Sequence, residues 1–175
     1  MLFQNLGFKS NPFHIRPSPD IIGFQAERSR LVSLSVLGRL IWVRGRMGSG
    51  KTSILLWLFQ ELKKRKENVI FVPTYYKRKS EILKFLKSKV SIIERILFKR
   101  NIPKNSIVLI DECQDLEKEV VEYLRILWDE NKLKSIIFAG TELNCSEFTK
   151  DRLYIIELKP LKFEELLQIL EKRLN

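Results

Sequence analysis

The sequence predicts an α/β fold, a five-stranded and mostly parallel sheet with helices on both faces. Three observations carry this. Short apolar runs recur at 40–44, 68–72, 106–110, 135–139 and 153–158, and runs apolar on both faces read as buried parallel strands. Stretches with helical spacing separate them. The first run leads into Gly45-Arg46-Met47-Gly48-Ser49-Gly50-Lys51-Thr52, which fits G-x-x-x-x-G-K-[ST] at every fixed position.

The elements follow in order. Residues 1–24 are irregular, because Pro12, Pro17 and Pro19 interrupt any helix. Their apolar residues, among them Phe8, Phe13, Ile21, Ile22 and Phe24, mark an arm that packs on the rest. Residues 25–38 are expected to be helical, with Leu31, Leu34, Val36 and Leu37 as the apolar side. The strand 40–44, the glycine loop and a helix to about Lys66 come next. Asn68–Val72 is a buried strand ended by Pro73. Residues 79–100 read as two helices with lysines outward. Ser106–Ile110 is a strand, and 116–131 is an amphipathic helix through Leu116, Val120, Leu124, Leu127 and Trp128. The 135–139 strand is expected beside the first one. A last strand, 153–158, precedes a last helix, 163–174. Trp42, Trp57 and Trp128 lie on apolar stretches and are expected in the core. His14, the single histidine, reads as surface or arm packing. The division is therefore an arm at 1–24, a core at 25–160 and a terminal helix at 161–175.

Composition narrows the function classes. With 175 residues, 45% of them hydrophobic, the chain suits one domain with a real core. No run of 18 apolar residues exists, so no transmembrane span and no membrane partner are expected. The N-terminus lacks the basic start and long apolar stretch of a signal peptide. Cys113 and Cys145 are too few for a disulfide framework or metal site. A cytoplasmic setting is expected. The formal net charge is +11, and it is concentrated: Glu61 to Lys104 holds 14 Lys/Arg against 4 Glu. Such asymmetry points to an anionic partner, nucleic acid first. A solvated helical face would give the same count. Within the stretch, Tyr75-Tyr76 beside Lys77-Arg78-Lys79 suits base stacking and phosphate contact, or forms only an exposed loop.

The glycine loop carries explicit chemistry. Its glycines let backbone N–H groups curl around an anion, and the following helix aims its positive end at the same place. Residues Gly45 to Ser53 would cradle phosphates. Lys51 would reach the β and γ phosphates, and the Thr52 hydroxyl would sit on Mg²⁺. Asp111 and Glu112 end the 107–110 strand. There Asp111 can hold Mg²⁺ together with Thr52. Glu112 can orient or deprotonate water, which suits hydrolysis better than transfer to a substrate hydroxyl. The plainer reading of the pair is a polar strand end or helix cap. Thr141 or Asn144, after the 135–139 strand, could hydrogen-bond the water or the γ-phosphate, or be turn residues only. Arg152 could serve in trans as an arginine finger on a neighbour's nucleotide, or be a surface arginine.

These motifs resemble those of AAA+ ATPases, and the resemblance runs from Phe8 to Leu174. It rests on the 45–52 loop, on Leu109-Ile110-Asp111-Glu112-Cys113-Gln114-Asp115-Leu116, on Phe138-Ala139-Gly140-Thr141-Glu142-Leu143, and on Pro160-Leu161-Lys162-Phe163-Glu164-Glu165. The Asp111–Leu116 run and Gly7-Phe8-Lys9-Ser10-Asn11-Pro12-Phe13 are similar to the ATPases of DNA transposition, to the archaeal origin-recognition branch and to secretion-associated ATPases. The resemblance implies a three-layer P-loop NTPase that uses ATP and Mg²⁺, oligomerises and, in most relatives, works on DNA. It implies that Asp111 and Glu112 are the Walker B pair and that Thr141 or Asn144 is the sensor-1 residue. It further implies that Ile21 and Ile22 wall the adenine pocket. Family members normally carry a helical lid with a second sensor arginine. Only about 15 residues follow the last strand here, so the lid is expected to be missing or reduced to one helix. No room remains for a winged helix, and DNA contact is left to the basic 61–104 region.

The functional expectation is Mg²⁺-dependent ATP hydrolysis coupled to DNA binding, or to assembly of a DNA-processing complex, with weak self-association. The alternative is an ATP-binding switch or loader for a partner protein, with negligible hydrolysis of its own. A small-molecule phosphotransferase would need a hydroxyl acceptor site and a mobile lid, and the sequence signals neither.

Overall fold

The computed structural model describes residues 17–91, 95, 101–161 and 163–174. Strands β1 (Leu40–Arg44), β2 (Asn68–Val72), β3 (Ser106–Ile110), β4 (Leu133–Gly140) and β5 (Leu153–Glu157) form one sheet. Their order is β2-β3-β4-β1-β5, and all four pairings are parallel. The helices are α1 (Gln25–Val36), α2 (Lys51–Lys64), α3 (Lys79–Ser88), α4 (Lys118–Asp129), the short α5 (Glu147–Lys150) and α6 (Phe163–Leu174). A 3₁₀ turn, Cys113–Asp115, follows β3. Among the described residues no helix is long and apolar enough to cross a membrane.

The sheet separates two apolar layers. Val108, Ile110, Ile136 and Phe138 face one layer with Leu86 of α3 and Leu124 and Leu127 of α4. Ile107, Leu109, Ile137 and Ala139 face the other with Leu31 of α1 and Ile54, Leu55 and Leu58 of α2. Alternate residues of the same strand thus enter different layers, and both must be apolar. This is why the strand runs are unbroken.

Several boundaries differ from expectation for local reasons. β4 is longer than 135–139 because it is central: Leu133 pairs with Ser106 across an irregularity, while Gly140 pairs with Arg44. The helix expected from 116 starts at Lys118, since the 3₁₀ turn and an extended Leu116 intervene. In α1 the buried residues are Leu31, Val32 and Ser35, while Leu37 is 68% exposed. Ser35 donates its hydroxyl to the Leu31 carbonyl (2.7 Å), so a polar residue can face the core with its hydrogen bond made. The helix has ended before Leu37, and Gly38 with φ +76° redirects the chain. The tryptophans lie at the margins of the two layers, not within them. Trp128 donates its indole N–H to the Gly38 carbonyl (2.8 Å), and Trp57 lies under the Arg28 guanidinium at 4.3 Å. Of the two helices expected in 79–100, α3 is present, and most of the second lies outside the described residues. So do His14 and the arm up to Arg16.

The segment after β5 returns to the front of the core. Leu158 still donates its N–H to the Arg44 carbonyl (2.8 Å). A Cβ built on Gly23 (φ +81°) would meet the Glu165 carboxyl at 2.6 Å and Leu161 at 3.0 Å. The start of α6 therefore presses on the segment that carries Ile21 and Ile22.

Phe138 is fully buried on the central strand. Phe138→Ala is expected to cost ~3–5 kcal/mol, read as a lowered urea midpoint with an unchanged slope.

Candidate active site

Because every strand runs the same way, the segments leaving β1, β3 and β4 share one edge of the sheet. β3, β4 and β1 are neighbours there, so the 45–50 loop, Asp111-Glu112 and Thr141 are brought together without any long-range loop. Ligands of open parallel sheets bind at this edge.

The loop owes its shape to its glycines. Gly48 and Gly50 have φ of +77° and +89°, conformations that a side chain would strain. Left-handed residues of this kind build anion nests. Gly50 also caps α2, accepting from the Ile54 N–H (2.9 Å). A Cβ on Gly45 would fall on the Ser49 hydroxyl, so the close turn requires glycine. That Ser49 oxygen is buried and has no protein partner.

Lys51, the first residue of α2, is only 6% exposed. Its ammonium donates to the carbonyls of Gly45 and Arg46, both at 3.0 Å. Two neutral acceptors hold it in the hollow of the loop, beside the positive end of a 14-residue helix, and its charge is felt by the Asp111 carboxyl. An anion at this point would be doubly favoured. Arg46 and Met47 extend into solvent.

Asp111 is 4% exposed. Its carboxylate accepts from the Glu112 N–H (3.0 Å), and the Thr52 hydroxyl lies beside it. Burial pushes this carboxyl above its ordinary range, opposed by the Thr52 hydrogen bond and the Lys51 charge. Thr52 and Asp111 thus place two hard oxygen donors side by side. Among the described residues no group of three or more His, Cys, Asp or Glu is arranged to hold a metal ion. The donor set fits Mg²⁺, which typically takes one or two protein oxygens and completes its shell with water and phosphate.

Glu112 adopts φ +52° and ψ +46°, a left-handed geometry uncommon for a residue with a side chain. Its carboxylate accepts a short hydrogen bond from the Gln114 side-chain amide. The Gln114 amide oxygen in turn accepts from the Thr141 N–H (3.3 Å). Gln114 was not singled out as a candidate from the sequence, where it has no independent signal. Phe24 was likewise missed: its ring lies 3.8 Å from where a Gly50 Cβ would stand. With Ile21 it packs against the layer of α1 and α2, and Ile22 is half-buried.

The remaining candidates are placed as follows. Thr141 joins through its backbone, with its side chain exposed, and Asn144 is exposed nearby in sequence. Arg152 stands at the opposite end of β5 from the loop, its guanidinium 3.6 Å over the Phe148 ring and donating to the Phe148 carbonyl (3.2 Å). It does not reach this chain's own phosphate loop. The 75–79 segment leaves β2 at the same edge as Asp111. Tyr75 is 69% exposed, and Arg78 is also in solvent. Lys77 pairs with Asp115 (2.9 Å). Tyr76 packs on Phe85 with ring centroids 5.2 Å apart, and Lys79 lies 4.5 Å from the Tyr123 ring, so these two are already engaged within the fold. Cys113 is buried, and burial pushes its thiol up to about 12, which makes it a packing residue and not a nucleophile. An open groove of about 720 Å³ between α1 and α2, lined by Arg28, Val32, Trp57 and Arg65, shares no residue with the phosphate loop.

A five-stranded parallel sheet with this glycine loop, flanked by helices on both faces, defines the phosphate-loop NTPase class of α/β protein. The chain belongs to the AAA domain family, whose model matches residues 38–167. It is similar in fold to Drosophila ORC, solved bound to DNA, with TM-score 0.63 and 18% identity over 94% of this chain and 49% of that one. The Thermotoga maritima RuvB Holliday junction branch migration motor gives 0.59 and 22% identity over 87% and 50%. Domain III of the Thermotoga maritima replication initiation protein DnaA gives 0.62 and 15% identity over 91% and 73%. The chain spans about half the length of the ORC and RuvB chains. The functionally curated sequences give no match.

The raised Asp111 carboxyl carries a stability consequence. The folded state holds the Asp111 proton more tightly than the unfolded chain, so stability falls as pH rises from the ordinary carboxyl range through the raised one. Asp111→Asn is expected to raise the melting temperature at pH 7–8 in the absence of nucleotide. The gain should vanish below about pH 4, where both states are protonated. A lower melting temperature at pH 8 would show that the lost hydrogen bonds outweigh the buried charge.

Proposed function

We propose that this chain binds ATP with Mg²⁺ and hydrolyses it, and that hydrolysis is coupled to contact with DNA or to assembly of a DNA-processing complex. The observation that carries the reading is the buried Lys51 ammonium held by two neutral carbonyls inside the glycine loop, with the Thr52–Asp111 pair beside it. Lys51 and the loop N–H groups bind the phosphates and stabilise the charge that grows on the transferred group. Thr52 and Asp111 would hold Mg²⁺, which supplies charge neutralisation between the β and γ phosphates. Glu112 orients the attacking water and accepts its proton. Ile21 and Ile22 would wall the adenine, and Thr141 or Asn144 would sense the γ-phosphate. In a homo-oligomer, Arg152 would reach a neighbour's nucleotide, consistent with its distance from this chain's own loop.

The DNA-contacting part rests on charge and placement. The basic 61–104 region includes Tyr75, Lys77 and Arg78, at the same edge of the sheet as the nucleotide loop. The fold is shared with ORC bound to DNA and with a branch migration motor. A second reading, an ATP switch or loader with little turnover of its own, is favoured by the placement of Arg152 on Phe148, which leaves the phosphate loop of a single chain without it.

Steady-state ATP hydrolysis with Mg²⁺, with and without DNA, tests both readings. Lys51→Ala is expected to abolish ATP binding. Glu112→Gln should lower turnover by about 100-fold or more while ATP still binds. Unchanged turnover in Glu112→Gln would remove Glu112 from its role. ATP binding without turnover under either condition would favour the switch.

The nucleic-acid role is checked by salt titration. Lys77→Glu with Arg78→Glu should weaken binding to DNA of any sequence and flatten the log–log salt dependence by about 2. Unaltered affinity and slope would take the 75–79 loop out of the interface.

A further inference from the structure

The contacts around the 3₁₀ turn assign a role to a residue outside the phosphate loop and the acidic pair. Gln114 is half-buried, and its amide spans two strand ends. One end donates to the Glu112 carboxylate, and the other accepts from the Thr141 backbone N–H at the end of β4 (3.3 Å). We infer that Gln114 is the positioning residue for Glu112: a side-chain bridge that fixes the direction of the glutamate and ties it to the end of the central strand. The inference deepens the proposed hydrolytic reading and rests on Glu112 being the group that orients water.

Three features support the bridge. First, the polarity is matched at both ends. An amide has one donor end and one acceptor end, and here a carboxylate faces the donor and an N–H faces the acceptor. Reversing the amide would set oxygen against oxygen and N–H against N–H. Second, the space for it is reserved. A Cβ on Gly140 would lie 2.5 Å from the Gln114 amide oxygen and 2.5 Å from the Cys113 sulfur. Gly140 has no left-handed φ among the glycines that do, so close approach, and not backbone conformation, is what calls for glycine there. Third, Glu112 sits in a left-handed conformation, which persists only when its surroundings hold it. Gln114, two residues on, supplies such a hold. A Glu112 side chain has three torsions, and the bridge removes much of their freedom before substrate arrives, engaging one carboxylate oxygen and leaving the other outside the bridge.

Two arms test the assignment. The first is independent of turnover. In the nucleotide-free protein, the Gln114 side-chain amide resonance is expected to move upfield in Glu112→Ala, and the Thr141 N–H resonance to move in Gln114→Ala. Absence of both shifts overturns the bridge. The second arm is kinetic. Gln114→Ala should lower kcat by about ten- to a hundredfold and leave the KM for ATP within about twofold. Gln114→Glu keeps the volume but replaces the donor with a carboxylate that repels Glu112, so it should be worse than Gln114→Ala. A packing role predicts the reverse order, with Gln114→Glu close to the parent protein, and that result would overturn the assignment. Should Glu112→Gln retain turnover, the hydrolytic reading of Glu112 fails while the resonance arm still judges the bridge.

Discussion

A parallel strand can return to its own sheet only through a crossover that covers one face, and this constraint organises the molecule. Both faces of the central strands become buried, so their middles must be apolar, while the edge strand β5 leaves Tyr154, Ile155 and Glu157 exposed. All the segments that leave the strands gather at one edge. The central trio β3-β4-β1 then brings the acidic pair, Thr141 and the glycine loop into contact, although more than 90 residues separate Gly45 from Thr141 in the chain. The chemistry follows from the ordering of strands, and the packing of Phe138, Ile137 and their neighbours maintains that ordering.

The same edge holds the molecule's least comfortable groups. Lys51 is buried, with its ammonium hydrogen-bonded to two neutral carbonyls. Asp111 is buried, and its carboxyl resists ionisation. Glu112 and Gly48 take left-handed backbone, and the Ser49 hydroxyl has no protein partner. A stable core would avoid each of these. Their concentration in one place, over two well-packed apolar layers, is the pattern of a site whose missing interactions come from a ligand. A polyphosphate with a divalent cation would satisfy Lys51, Asp111 and the loop N–H groups together.

The five strands were legible because burial on both faces leaves an unbroken apolar run, and the loop was legible because only glycines allow its geometry. The placement of the 135–139 strand beside the first was legible as well. The face of α1 was not: Ser35 is buried through a hydrogen bond to its own helix, which apolar spacing cannot register, and Gly38 ends the pattern before Leu37. The tryptophans read as core because they are apolar, yet Trp128 sits at a margin where its indole N–H reaches the Gly38 carbonyl, while the Trp42 indole N–H is buried without a partner. Gln114 and Phe24 were hidden because their importance is a matter of what they touch. One glutamine beside two acids, or one phenylalanine in an apolar arm, has no pattern of its own. Tyr76 shows the converse: beside lysines it looks free to stack on a base, but Phe85 already packs against it.

Magnitudes decide what the basic edge can do. The Lys77–Asp115 pair is about half exposed on both sides, and pairs of that kind contribute ~0–1 kcal/mol. Lys77 is therefore held in place but not committed. A polyanion that offers several phosphates at once outcompetes a single solvated carboxylate, because each contact also releases a condensed counterion. Lys79 is held as loosely. Its ammonium lies over the Tyr123 ring, and an interaction of that type is worth ~0.5–1 kcal/mol at an exposed site and leaves the positive charge in place. The usable positive charge at this edge is thus carried by Lys77, Arg78 and Lys79, one strand from Asp111. An anionic partner seated there would compete with Asp115 for Lys77, and Asp115 closes the 3₁₀ turn that also carries Gln114.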